Sequence, residues 1–129
     1  MLEEGIVAHI KADSGLATKL DAGGGRHHIY PLLVPDGVTI DKALTYTEID
    51  QSLTYPLVRS SLIQINCIAK TFADARDLAN DIDILFNDFN KEKLGGVFWI
   101  EYVKFNGRSN FYDADAKLYI FSVELFIKF

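Results

Sequence analysis

The chain has 129 residues, 49% of them hydrophobic and 24% charged, which is enough apolar sequence to bury a core and too much for global disorder. Its one cysteine, Cys67, excludes an internal disulfide and a zinc site built from several thiolates. The formal net charge is −5, and the 13 Lys and Arg residues are scattered rather than clustered, which argues against a duplex-DNA-binding face. No apolar run approaches the roughly 18 residues of a membrane span, so no membrane partner is expected.

The opening Met1-Leu2-Glu3-Glu4 lacks the basic head and apolar run of a signal peptide, so folding in the cytoplasm of the producing cell is expected. Leu2, Ile6, Val7 and Ile10 share one face at helical spacing and predict a short helix over 2–12. Ser14-Gly15 reads as its stop, residues 16–21 as a further helical turn, and Gly23-Gly24-Gly25 as a flexible joint. Residues 29–34 and 44–49 are predicted as short strands. Pro31 marks the first as an edge strand or strand end, and Pro35-Asp36-Gly37 between them is turn chemistry. Residues 50–58 are predicted as a longer connection that exposes Leu53, Tyr55 and Leu57.

Residues 60–69 alternate, with Ile63, Ile65, Cys67 and Ala69 on one side and Gln64 and Asn66 on the other, the pattern of a half-buried strand. Thr71 is a good N-cap with Asp74 three residues on. Phe72, Ala75, Ala79, Ile82, Phe86 and Phe89 then recur at steps of three and four, widened by Leu78 and Leu85, and predict a helix with one buried face. Lys91, Lys93 and Gly95-Gly96 read as the end of that helix. Strands are predicted over 97–105 and 117–129. On the last, Tyr119, Phe121, Val123, Leu125, Ile127 and Phe129 share a face, while Leu118, Ile120, Ser122, Glu124, Phe126 and Lys128 make a mixed one. Asn106-Gly107 is a strong turn signal, which makes 106–115 a long connection carrying Phe111 and Tyr112. No repeat, low-complexity linker or composition break divides the chain, so 1–129 is expected to be a single domain. The order α-β-β-β-α-β-β predicts the α+β class: a mainly antiparallel sheet of four to five strands with two helices packed on one face.

No polar cluster carries a recognisable reaction. His27 and His28 are adjacent, so on a strand they point to opposite faces and cannot easily share a metal, and His9 is distant in sequence. Cys67 reads as a small buried hydrophobe rather than a nucleophile with a partner histidine. The triglycine segment precedes a strand, the reverse of a phosphate-binding loop. Asp81 and Asp83 do not face each other on a helix. Expectations are therefore no catalytic residue, no metal, no cofactor and no enzyme. Asp74, Asp77, Asp81 and Asp88 form an acidic stripe, read as a solvated face or as a lumen wall that repels passing DNA. Leu53, Tyr55, Leu57, Phe111 and Tyr112 are the candidate subunit or partner contacts.

The order of elements, and residues 60–82 above all (SSLIQINCIAKTFADARDLANDI), resemble the tail-completion or tail-terminator proteins of long-tailed bacteriophages. The entry Ile29-Tyr30-Pro31, the strand with Tyr46 and the apolar final strand are similar too. Lys42-Ala43 stands where the family often has a proline. The resemblance implies a virion protein at the head-tail interface, made in the host cytoplasm. It implies a ring, commonly six-fold, that stacks on the last ring of the tail tube, meets the head-tail connector and passes DNA as non-specific cargo. It carries no catalytic residues. The free subunit is expected to be a monomer with mobile 50–58 and 106–115 segments. A head-completion or neck protein, a small bacterial ligand-binding α+β domain, and a small hydrolase or transferase with an unrecognised site remain alternatives.

Overall fold

The alternation of Ile63, Ile65, Cys67 and Ala69 builds the centre of the fold. These four side chains are fully buried on the helix-bearing face of strand β5 (Val58–Ala69). The computed structural model describes residues 2–35, 37, 40–54, 58–87, 89–94, 96 and 98–129, with backbone only at 50–54, 58, 59 and 98.

Helix α1 (Leu2–Ala12) buries Leu2, Ile6 and Ile10, with Glu3 and Glu4 in its first turn and His9 and Lys11 in its last, as the helix dipole favours. Ser14-Gly15 is not its stop. The break is at Asp13, whose side chain accepts the Gly15 N–H at 3.0 Å and caps a second helix, α2 (Ser14–Lys19). The triglycine segment is likewise no loose joint. It turns a small ribbon of β1 (Asp21–Gly23) and β2 (Arg26–His27), and all three glycines have positive φ, at 87°, 62° and 77°, a run that only glycine makes without strain.

The main sheet has six strands in the order β3-β4-β5-β8-β7-β6. Strand β3 (Ile29–Pro31) is an edge that stops at its proline and pairs parallel with β4 (Lys42–Thr54). All other neighbours are antiparallel. The expected connection over 50–58 is mostly strand. Gln51 pairs with Ser61 and Thr54 with Val58, which leaves only 55–57 between β4 and β5, outside the described residues. Helix α3 (Phe72–Phe86) starts on the Thr71 cap, whose hydroxyl accepts the Asp74 N–H at 3.2 Å. It buries Ala75, Leu78, Ala79, Ile82 and Phe86. Phe72 sits outside this face and packs its ring on Tyr119 and Phe121, at 6.0 and 5.2 Å between centroids.

The helix ends earlier than its lysines imply. Asn87 is the C-cap, and Lys91 and Lys93 lie on a further strand, β6 (Asn90–Leu94), paired with β7 (Phe98–Asp113). Asn106-Gly107 is not a turn either. Phe105 pairs with Leu125 and Gly107 with Glu124, so Asn106 is an extra residue bulging from a continuous β7. The reversal comes at 114–117, before β8 (Leu118–Lys128). There the Asp113 carboxylate accepts the N–H groups of Asp115 and Ala116 at 3.1 and 3.2 Å.

The α+β class, the mainly antiparallel sheet and the single helix-bearing face agree with expectation, with more strands than expected. The core unites Ile6, Ile10, Leu16 and α3 with Leu44 of β4, Ile65 of β5 and Val123, Leu125 and Ile127 of β8. A smaller cluster of Ile40, Ala43 and Ile68, with Val34, Leu118 and Ile120 against it, covers part of the other face. Beside it Ser122 donates to Asn66 Oδ1 at 2.6 Å, and Gln64 Nε2 donates to the same oxygen at 3.1 Å.

Candidate assembly surface

Among the described residues no three His, Cys, Asp or Glu side chains converge as a metal site. Each histidine has its own surroundings. His9 packs against the rings of Phe86 and Phe89, with Nε2 3.3 Å from the Leu85 carbonyl oxygen. His28 Nδ1 lies 2.6 Å from the Tyr30 hydroxyl. His27 Nδ1 is buried, with no hydrogen-bond partner among the described residues. Burial pushes the Cys67 thiol far up from its ordinary range, partly opposed by the Arg108 charge, which is the reverse of what a nucleophile requires.

The acidic stripe is interrupted by cations, one from another element and one from α3 itself. Asp81 pairs with Lys19 of α2, and Asp77 lies 3.8 Å from Arg76. Asp74 sits in the first turn of α3, and Asp88 lies outside the described residues. Next to the stripe, Arg108 of β7 donates to Asp83 and Asn80 at 3.1 and 2.9 Å, which ties the open side of the sheet to α3. The Arg108 guanidinium also lies 5.2 Å from the Phe121 ring centroid.

Phe111 and Tyr112 belong to β7, not to a loop, and are 54% and 50% exposed. Their cross-strand partners are Ile120 and Tyr119, and the Tyr112 and Tyr119 rings stand 4.7 Å apart. Leu53 lies on β4 opposite Arg59, at the β4–β5 hairpin end. Its side chain, and Tyr55 and Leu57 altogether, are outside the described residues. Among the described residues of the two predicted contact sets, Leu53 is not brought together with Phe111 and Tyr112. The ladder β4-β5-β8-β7 puts Leu53 at one end of the sheet and Tyr112, beside the β7–β8 turn, at the other.

The exposed apolar surface extends beyond the predicted residues. Ile84 on the outer side of α3 is 75% exposed and Phe105 of β7 is 50% exposed. They flank a groove of about 580 Å³ floored by Phe86, Phe89, Val103 and Leu125. Trp99 and Tyr102, earlier on β7, are exposed as well. Sequence periodicity does not single out this surface, because residues 97–105 read only as an apolar strand, with no face assigned to Trp99, Tyr102 or Phe105.

The fold is one found in a virion. A solved chain from the virion of a native gene transfer agent particle matches with a TM-score of 0.74 over 98% of this chain and 92% of its own length, at 15% identity. At that identity the likeness is one of fold. No family model and no curated protein matches the chain.

Proposed function

We propose that this chain is a structural subunit of a phage or phage-like virion, one that terminates the tail tube and joins the tail to the head connector as a ring through which DNA passes. The observation that carries the reading is the near-complete fold likeness to a virion chain. A part that joins two partners needs two separate docking regions, and the sheet offers Phe111 and Tyr112 toward one end and Leu53, on the β4–β5 hairpin, at the other. Large exposed aromatic groups of this kind are the usual anchors of protein contacts. The partners are further copies of the chain, the tail-tube protein and the connector proteins, with six copies as the number the sequence resemblance implies. DNA is cargo, in keeping with the net charge of −5.

Electron microscopy of the protein mixed with purified tail tubes tests this. Rings capping the tube ends are expected. A protein that neither caps tubes nor forms rings is not a tail terminator.

A further inference from the structure

Two stretches of the sheet's rim carry backbone hydrogen-bonding groups with no strand against them among the described residues. On one side, β6 covers β7 only from Phe98 to Tyr102, so residues 104–113 are laddered to β8 alone. On the other, β3 covers β4 only from Leu44 to Tyr46, so residues 47–54 are laddered to β5 alone. An open edge is a template for a further strand. We propose that these two edges form one joint: β7 residues 104–113 of one subunit pair with β4 residues 47–54 of a second copy of this chain. The inference rests on the ring reading above and names the surfaces that close the ring.

Charge favours a second copy as the occupant. The β7 segment carries Lys104, its other cation Arg108 being paired with Asp83 of α3, while the β4 segment carries Glu48 and Asp50 and no cation. Opposed charge on two edges steers their association.

Strand direction favours it too. Three antiparallel steps separate β4 from β7 (β4–β5, β5–β8, β8–β7), so the two run in opposite directions. Rotation about a ring axis that the strands cross at a common tilt preserves those directions, and a tilt is what a register staggered from one subunit to the next requires. The β7 edge of one subunit therefore meets the β4 edge of the next antiparallel, the geometry with straight ladder hydrogen bonds. Because the two edges differ, the contact is head-to-tail, and such contacts make rings when the rotation closes.

Both edges also carry a bulge, at Asn106 and at Ile49. Bulges and an edge lysine such as Lys104 discourage indiscriminate pairing. Aligning Lys104 with Thr54 and Phe111 with Thr47 lets both bulges stand off the new ladder and sets Ser109 opposite Asp50. Exposed Phe105, Phe111 and Ile49 then line the joint.

The native thiol is buried, so introduced cysteines report alone. A Ser52→Cys, Ser109→Cys double variant, mixed with tail tubes and treated with a short bis-maleimide, is expected to give a ladder of covalent oligomers on a denaturing gel, which neither single variant gives. Adding Asp50→Lys to that double variant is expected to lower the oligomer yield about tenfold by reversing the charge of the acidic edge that attracts Lys104. In the protein without introduced cysteines, where rings on tube ends are counted in micrographs, Asp50→Lys is expected to lower the count and Asp50→Lys with Ser109→Glu, two opposite charges set facing each other, to restore it. Rings on tube ends with no ladder, or with a yield indifferent to Asp50→Lys, overturn the joint and leave the ring reading standing. Wild-type protein that makes no rings overturns both.

Discussion

Ile82 and Ile84 are two residues apart on one helix and have opposite fates: Ile82 is fully buried, and Ile84 is 75% exposed. The Ile82→Ala variant is expected to lose about 2–5 kcal/mol of stability, from transfer plus cavity, and Ile84→Ala less than about 0.5 kcal/mol. Urea unfolding of both separates them, and equal losses would show that the groove side of α3 is packed. Cys67 gives a second test at this scale. Burial raises its pKa in the fold, while the unfolded thiol ionises near about 8.5. The folded state then keeps a proton that the unfolded state gives up. The Cys67 contribution is therefore fully present below about pH 8.5 and falls as pH rises above it. Stability measured from pH 7 to 10 is expected to decline more steeply in the wild type than in Cys67→Ala. A thiol reagent is expected to label Cys67 only on unfolding, and labelling of the native protein at the unfolded rate contradicts that. The burial of Cys67 was legible beforehand, because strict alternation from Ile63 to Ala69 admits only one face for it.

Elements were legible where a periodic pattern ran undisturbed, as on β5, α3 and β8. They were obscured where short-range signals and long-range pairing disagreed. Asn106-Gly107 has the composition of a hairpin turn, but β8 continues opposite it from Glu124 to Leu118, and ladder bonds on both sides of the dipeptide outweigh its turn preference. The residue is absorbed as a bulge. Deleting Asn106 is expected to force a one-residue slip that turns one part of β7 inside out, with a large loss of thermal stability, whereas Asn106→Gly is expected to be mild. Similar melting points for the two variants contradict the bulge. Strand β6 was missed for a different reason. Its sequence NKEKL buries only Leu94, so it has almost no apolar alternation, and its lysines mimic a helix end. The start of α3 was read correctly from Thr71, and Thr71→Ala is expected to cost about 1 kcal/mol in a chemical denaturation series, with a loss near zero showing that the cap is idle.

At the scale of the molecule, strand order could not be read from the chain. The contacts that decide it, β5 against β8 above all, join residues some sixty positions apart, and local patterns are blind to them. The order matters because it leaves β8 paired on both sides and β7, beyond Tyr102, paired on one. In the free subunit, hydrogen exchange is expected to be slowest along β8 and to alternate along 104–113, where amides facing β8 are held and those facing outward are not. Assembly is expected to slow the outward set. Uniform protection of 104–113 in the free subunit contradicts an open edge.

The long β4–β5 hairpin also acts as a measuring rod. β4 has 13 residues, which at about 3.3 Å each spans about 40 Å. With strands at a common tilt to the axis of a ring, the axial part of that length sets the spacing between whatever sits above the ring and whatever sits below it. Adding two residues to each of β4, β5, β7 and β8 is then expected to thicken the ring by up to about 7 Å, a change visible in averaged side views, while its diameter stays the same.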